Sequence, residues 1–182
     1  MKTTMHAPVF YRRRLPHLQP PEGDFSIVYR LADSLPKTLL QKLEKAHEQN
    51  RQHISETHGE QAQARLDMAD QVFIRKVDRL LPKIKDGPMW LGKREIAQIV
   101  IDSLKYIEME MKFWTIWSYC VMSNHVHLEC TLAPGAPALY RIMQSHKSFT
   151  AVKANRLLGR SGSFWMEESY DRVIRNKREF HN

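Results

Sequence analysis

The sequence predicts an α+β fold in which amphipathic helices cover a β-sheet. Helical spacing of apolar residues across 93–109 and 138–158 indicates two helices that each bury one side. Runs rich in β-branched and aromatic residues at 25–31 and 112–122 indicate strands, and a tight turn after the second run leads into a further strand. The order strand, helix, strand, strand, helix, strand is that of a ferredoxin-like sandwich, an antiparallel sheet with helices on one face.

The N-terminal segment and the long charged stretch lie outside this pattern. Residues 1–23 are rich in proline and arginine, which favours an extended arm over a packed element. Its Arg12, Arg13 and Arg14 are suited to contact a phosphate backbone, and a flexible terminus explains them equally well. The remaining residues, 24–182, are predicted to form a single domain with a helical insertion at about 37–86, after the first strand.

The net charge and the surroundings of the cysteines and of three histidines narrow the class of protein. The 182 residues carry a formal net charge of +8, which favours an anionic partner such as nucleic acid. Cys120 and Cys130 are better explained as reduced, buried thiols than as a disulfide or a metal site. A solvated helical face likewise explains His47, His53 and His58 better than a metal site does. No stretch suits a signal peptide or a membrane span, so the sequence predicts a cytoplasmic protein without a membrane partner.

Two histidines at i and i+2 stand in the strand that follows the turn. His125 and His127 share one face because side chains alternate along a strand, and Glu129 continues that polar face. The other face is apolar, with Val126, Leu128, Cys130 and Leu132. The pair supplies two metal ligands, and a catalytic ion needs at least one more, for which Glu129 is a candidate. The alternative is that both histidines are hydrogen-bonded sheet residues without a metal.

The C-terminal part combines basic and aromatic residues. The second amphipathic helix is predicted to stop at Gly159, residues 164–166 to form the fourth strand, and a final helix to begin at Arg172. Cations along this part would neutralise phosphates, and an exposed Trp165 would stack on an unpaired base. The basic residues are Lys147, Lys153, Arg156, Arg160, Arg172 and Arg175. In an alternative compatible with this one, the cations are only solvated and three apolar residues face the core: Phe149, Val152 and Leu157.

Several motifs of the chain resemble, in order and spacing, those of the single-tyrosine HUH transposases, in particular the REP-associated tyrosine transposases. The resemblance covers most of the chain outside the helical insertion. Its motifs are Arg-Arg-Arg-Leu-Pro-His at 12–17, Arg-Leu-Ala-Asp-Ser-Leu-Pro at 30–36, Ser-Asn-His-Val-His within 119–127, the basic stretch 147–160, Ser-Phe-Trp at 163–165 and Tyr-Asp-Arg-Val-Ile-Arg at 170–175. One departure is Ser123, where the family usually has proline.

The resemblance implies a ferredoxin-like nuclease domain whose His125 and His127 bind Mg²⁺ or Mn²⁺. In the family, the ion polarises a scissile phosphate of single-stranded DNA, and a tyrosine hydroxyl attacks to give a phosphotyrosine intermediate, without ATP. The substrates that it implies are hairpin-forming, palindromic repeats. Members of the wider family dimerise and exchange their last helix, so a homodimer is compatible with the resemblance.

The nucleophile is the second departure. The family places its attacking tyrosine and a third, amide ligand on the last helix, after the residues matched by Arg175-Asn176, and this position falls beyond Asn182. The expectation is therefore a shortened final helix. Tyr170 is the nearest hydroxyl, but it matches an earlier aromatic position and is better explained by packing.

Three hypotheses about function follow from the sequence: a DNA transposase, a non-catalytic remnant that binds hairpin DNA, and a metal-free module that binds RNA or protein.

Overall fold

The computed structural model describes residues 9–12, 16–19, 22–57 and 59–174. The chain divides into two compact units, a helical unit at 33–88 and a sheet unit formed by the residues before and after it. The strands and α-helices in chain order are β1 (Val9–Arg12), β2 (Pro16–Gln19), β3 (Gly23–Arg30), α1 (Lys37–Thr57), α2 (Ala62–Leu80), α3 (Arg94–Met109), β4 (Trp114–Val121), β5 (His125–Leu132), α4 (Leu139–Leu157) and β6 (Tyr170–Ile174). Within these described ranges, no helix has the length and apolar character needed to cross a membrane.

Four strands form an antiparallel sheet in the order β4-β5-β3-β6. The chain runs from β3 through α3 to the hairpin of β4 and β5, and then through α4 to β6. This order confirms the predicted α+β, ferredoxin-like fold, with β5 and β3 at the centre. In addition, β1 and β2 pair with each other, a hairpin that the proline- and arginine-rich composition did not predict.

The core lies between the sheet and the two helices of the sheet unit. Every second residue of β5 faces it, and Val126, Leu128 and Cys130 are buried, as the alternation predicts. The core-facing residues of α3 recur every three or four positions, which places them on one side of the helix: Ile96, Val100, Leu104 and Ile107. Each such buried aliphatic side chain contributes about 1.5–3 kcal/mol through removal from water.

The end of α4 positions the segment that leads to the last strand. Gly159 has a φ of +63°, a left-handed conformation that glycine adopts without steric cost. The Arg160 N–H then donates to the Asn155 carbonyl at 2.9 Å, which satisfies a carbonyl of the last helical turn. The predicted stop at Gly159 is therefore confirmed.

The helical unit contains α1 and α2, and the predicted insertion 37–86 falls within it. Arg51 and Asp70 form a buried ion pair between the two helices. His47 stacks on Phe73 with ring centroids 4.5 Å apart, and its Nε2 lies 2.9 Å from Asp70 Oδ1. The prediction of a solvated His47 is therefore wrong, since this side chain is only 8% exposed. His53 is exposed as predicted, and His58 lies outside the described residues.

The fourth strand is β6, and its prediction at 164–166 is wrong. Tyr170 to Ile174 pair in register with β3, which satisfies the backbone groups of β6 that face β3. Within 164–166, Trp165 makes only an isolated bridge to Leu31. The aromatic run resembles a strand in composition because its rings are buried, not because its backbone is in the sheet. The predicted start of a final helix at Arg172 is also wrong, since Arg172 lies within β6.

The two cysteines differ in their surroundings. Both are free thiols, as predicted. Cys130 is buried on the core face of the central strand β5. Cys120 is exposed, because β4 is an edge strand and Cys120 pairs with His127 on the face of the sheet away from the core. The prediction of two buried thiols is therefore correct only for Cys130.

Candidate functional site

The face of β5 that is turned away from the core carries both histidines, as the alternation predicts. The ring centroids of His125 and His127 are 4.9 Å apart. One ring nitrogen of each lies within 4.8 Å of one of the other, a separation that a single ion can bridge. Strand geometry thus brings the two predicted ligands together on a rigid central element.

His125 is held in one tautomer by its neighbour. Asn124 is buried, and its Oδ1 lies 2.6 Å from Nδ1 of His125. Because an amide oxygen only accepts, Nδ1 carries the proton and Nε2 keeps its lone pair. This is the arrangement by which outer-shell partners orient histidine ligands. Asn124 is not among the predicted site residues, although its position directly before the first histidine is a usable signal.

Burial also keeps His125 uncharged. Loss of water around the ring, with a smaller contribution from His127, lowers the pKa of His125 to about 4. At neutral pH the ring is therefore a neutral imidazole, the form that binds metals. The chemistry of these two donors fits a divalent transition ion, and imidazole nitrogens suit such ions better than they suit Mg²⁺.

The turn that precedes β5 is fixed by backbone hydrogen bonds. The Leu91 N–H donates to the Ser123 carbonyl at 3.1 Å, and the Leu31 N–H donates to the Asn124 carbonyl at 2.9 Å. The Met122 N–H closes the hairpin onto the His125 carbonyl at 2.9 Å. Two of these bonds tie the turn to other segments of the sheet unit, at Leu91 and Leu31, and the third closes the hairpin itself, so the backbone around the turn positions the first histidine.

Glu129 lies on the same face as the histidines, but its carboxylate is hydrogen-bonded to β4. Its Oε2 accepts a hydrogen bond of 2.9 Å from the Ser118 hydroxyl of β4. The next residue on that face, Thr131, accepts from Trp117 Nε1 at 2.6 Å and donates to Asp24 Oδ1 at 2.5 Å. Sequence patterns did not identify Trp117 as a site residue, because the register shift that places it there is not visible in the sequence.

Tyr170 also lies on the histidine face. It is paired with Val28, and Val28 is paired in turn with His127, so the three residues form one row across the sheet. Directly paired residues project to the same side, which places Tyr170 two strands from His127. The side chain is 7% exposed.

Two of the predicted DNA-binding cations act within the fold. Lys147 donates from Nζ to the carbonyls of Met166 and Glu167, both at 2.7 Å, which attaches α4 to the segment before β6. The guanidinium carbon of Arg160 lies 3.9 Å from the ring centroid of Trp90. Arg160 also donates to Asn155 Oδ1.

Lys153 and Arg156 are exposed on α4. The apolar residues between and beside them do not face the core, since Phe149, Val152 and Leu157 are 51%, 68% and 56% exposed. The alternative that placed these three in the core is therefore wrong. The result is a mixed apolar and basic surface, and Lys153 Nζ lies 5.7 Å from the Phe149 ring centroid.

The prediction of an exposed Trp165 is wrong. The ring is 7% exposed, packs on Tyr29 with centroids 4.9 Å apart, and donates from Nε1 to Thr150 Oγ1 at 2.9 Å. Its polar N–H finds a partner inside the core, so the ring is not available to a base.

The remaining predicted cations are only partly described. Arg172 lies on β6, paired with Ser26 on the histidine face. Arg12 belongs to β1, of which only the backbone is described. Arg13, Arg14 and Arg175 lie outside the described residues.

The sheet order and the paired histidines define an α+β domain with a candidate metal centre on the sheet face turned away from the core. No family model and no curated protein matches the sequence. Among solved structures, the chain is similar to one described as the REP-associated tyrosine transposase bound to a REP hairpin, with a TM-score of 0.46 and 12% identity. The match covers 94% of this chain and 65% of the other, so this chain spans less than two thirds of that protein's length. A likeness at this TM-score carries no argument about function, which has to come from the residues of this chain.

Proposed function

We propose that this chain is a transposase-like protein that binds hairpin or single-stranded DNA and holds a divalent ion at His125 and His127. The observation that carries the proposal is the pair itself: two imidazoles on one rigid strand, one of them neutral and fixed in tautomer by Asn124. A structural pair of sheet histidines does not require either property. The motifs around the pair resemble those of the HUH transposases, which supports the assignment to DNA.

In this proposal the ion would supply the chemistry, and the protein residues would hold and orient it. When bound, it would act as a Lewis acid toward a phosphate oxygen. His125 and His127 would hold it, and Asn124 would keep the first ring oriented. Because both protein ligands are nitrogen donors, we expect Mn²⁺ to bind more tightly than Mg²⁺.

DNA binding is supported by charge and by the surface of α4. The chain carries a net charge of +8, and Lys153 and Arg156 are exposed beside apolar side chains. Such cations bind phosphates by releasing counterions, so the affinity should fall steeply as the salt concentration rises.

The nucleophile separates a transposase from a non-catalytic DNA-binding protein. In the reaction, a tyrosine oxygen would form a bond to phosphorus while the bond from phosphorus to the 3′ oxygen breaks; the phenol loses its proton and the 3′ oxygen gains one. Of the tyrosines whose side chains the structure describes, Tyr170 is the one on the histidine face, in the row of His127. Its low exposure of 7% favours the non-catalytic alternative for this residue.

One experiment tests both DNA binding and the covalent reaction. The protein is incubated with a labelled DNA hairpin that carries a single-stranded flank, with and without Mn²⁺, and complexes are analysed before and after denaturation. We expect salt-dependent binding in every case. A denaturation-resistant adduct that requires Mn²⁺ and is lost in Tyr170→Phe would identify a transposase, and binding without an adduct would identify the non-catalytic protein. Absence of any hairpin binding at low salt would contradict the proposal.

A further inference from the structure

An exposed tryptophan is held in a fixed orientation on the same sheet face as the histidines. The register of β4 against β5 shifts between Ile116 and Ser118, so Trp117 is the extra residue of a β-bulge. Its side chain is 62% exposed. A bulge re-aims a side chain relative to the regular alternation, and here it turns the indole of an edge strand toward the neighbouring strand.

Two hydrogen bonds in series anchor the indole across three strands. Trp117 Nε1 donates to Thr131 Oγ1 on β5 at 2.6 Å, and Thr131 Oγ1 donates to Asp24 Oδ1 on β3 at 2.5 Å. Thr131 uses its hydroxyl as both acceptor and donor, so the direction of the whole series is set by the carboxylate. The polar edge of the ring is thereby occupied, while the ring remains largely open to solvent.

The Trp117 ring lies on the same face of the sheet as the candidate metal centre, a short distance along the strand. Thr131 and His127 are on one face of one strand, four residues apart, a distance of about 13 Å along the strand. Single-strand sites commonly extend over about 4–16 nucleotides, so one short strand can reach both points. Four-stranded sheets that bind single-stranded RNA use exposed aromatic rings in this way.

The charges near Trp117 favour a base over a phosphate. Asp24 holds Thr131 from β3, and Glu129 is the preceding residue of β5 on the same face. Two carboxylates would repel a phosphate, whereas carboxylates accept hydrogen bonds from the amino groups of bases. The histidine end of the face is therefore suited to the backbone, and the Trp117 end to a base.

We propose that Trp117 is the stacking platform for one unpaired base of a DNA single strand whose backbone passes the histidine pair. This inference rests on the proposed function, and it adds a binding position that does not depend on the metal or on a nucleophile. Stacking of a base on an aromatic ring is tolerant of sequence, so Trp117 would fix the position of the strand and not its sequence.

The test measures affinity for a DNA hairpin with a short single-stranded flank, in the absence of divalent metal. Each flank nucleotide is replaced in turn by an abasic site. For the unaltered protein, we expect one abasic position to weaken binding by roughly 5- to 150-fold, as loss of one stacked base should. In Trp117→Ala, that same abasic position should have no further effect. Trp117→Phe should retain most of the effect, because phenylalanine also stacks.

Tyr119→Ala is the matched control. Tyr119 is an exposed aromatic residue of the same strand, but it is paired with Leu128 and so projects to the core side of the sheet. An abasic profile that is the same in Trp117→Ala as in the unaltered protein would overturn the inference while leaving hairpin binding, and thus the proposed function, in place. A change in the sedimentation of Trp117→Ala without DNA would overturn it in favour of contact with a second copy of the chain. Loss of all hairpin binding by the unaltered protein would overturn both proposals.

Discussion

His125 on β5 and His146 on α4 are equally buried, and they differ in how many ring nitrogens are occupied. Each is 1% exposed, and burial lowers the pKa of His125 to about 4 and that of His146 to about 3. His146 contacts the Tyr29 hydroxyl through Nε2 at 2.9 Å and the Ser103 hydroxyl through Nδ1 at 2.8 Å. Among the residues that the structure describes, the hydrogen-bond partner of His125 is Asn124, at Nδ1. Burial makes both rings neutral, and the lone pair on Nε2 distinguishes the candidate ligand from the core residue.

Replacement of the strand histidines is expected to have the largest effect. In His125→Ala/His127→Ala both imidazole ligands are lost, so the affinity for Mn²⁺ should fall by more than the roughly 10- to 100-fold typical of outer-shell changes. Calorimetric titration with Mn²⁺ measures this, with His146→Gln as the matched control that should bind normally. Equal affinity in the double variant and the unaltered protein would identify the pair as sheet residues without a metal.

Loss of the Asn124 amide should weaken metal binding without abolishing it. In Asn124→Ala the Nδ1 proton of His125 loses its acceptor, and we expect Mn²⁺ to bind about 10- to 100-fold more weakly. The control is Asn155→Ala, which removes an amide that bonds the Gly162 carbonyl after α4. If both variants lost affinity equally, the tautomer argument would be wrong.

The pH dependence of stability should report His146. Its pKa in the folded protein, about 3, lies below the ordinary value of 6.5, so between these values the unfolded chain binds a proton that the folded chain does not. Stability therefore falls as the pH falls below 6.5, by about 2 kcal/mol at pH 5. Urea unfolding at several pH values measures the slope. In His146→Gln this contribution should disappear, while that of His125 remains; an unchanged slope would contradict the burial argument.

The smallest effect is expected at the hydroxyl groups around His146. Ser103→Ala removes one hydrogen-bond partner of the buried ring and should lower the free energy of unfolding by about 1 kcal/mol. Mn²⁺ binding should not change. Ser145→Ala, at an exposed position of α4, controls for the higher helix propensity of alanine. A weaker affinity for Mn²⁺ in Ser103→Ala would show that the two histidine environments are coupled.

The sequence was sufficient where one local pattern determines the structure. Alternation along β5 predicted both faces of the strand, and helical spacing predicted α3 to within one residue at its start. It was insufficient where a residue is placed by distant partners. Phe164 and Trp165 have a strand-like composition, but their rings fill the core, and the strand that pairs with β3 follows later.

For the candidate site, too, local spacing was predictable from the sequence, whereas placement by distant partners was not. The shared face of His125 and His127 follows from their spacing alone. The burial of Trp165 does not, because it depends on Thr150 and Tyr29, which approach from other elements. Likewise, the exposure of Phe149 depends on which side of α4 meets the sheet, and an amphipathic helix with apolar residues on several sides leaves this open.

The bulge at Trp117 also affects how the protein avoids aggregation. β4 is an outer strand of the sheet, and a regular outer strand offers its free backbone groups to the same strand of another molecule. An extra residue increases the local twist and interrupts the spacing of those groups, so two such strands do not align over their full length. Deletion of Trp117 would restore a regular strand, and with it a flat outer edge open to association between copies.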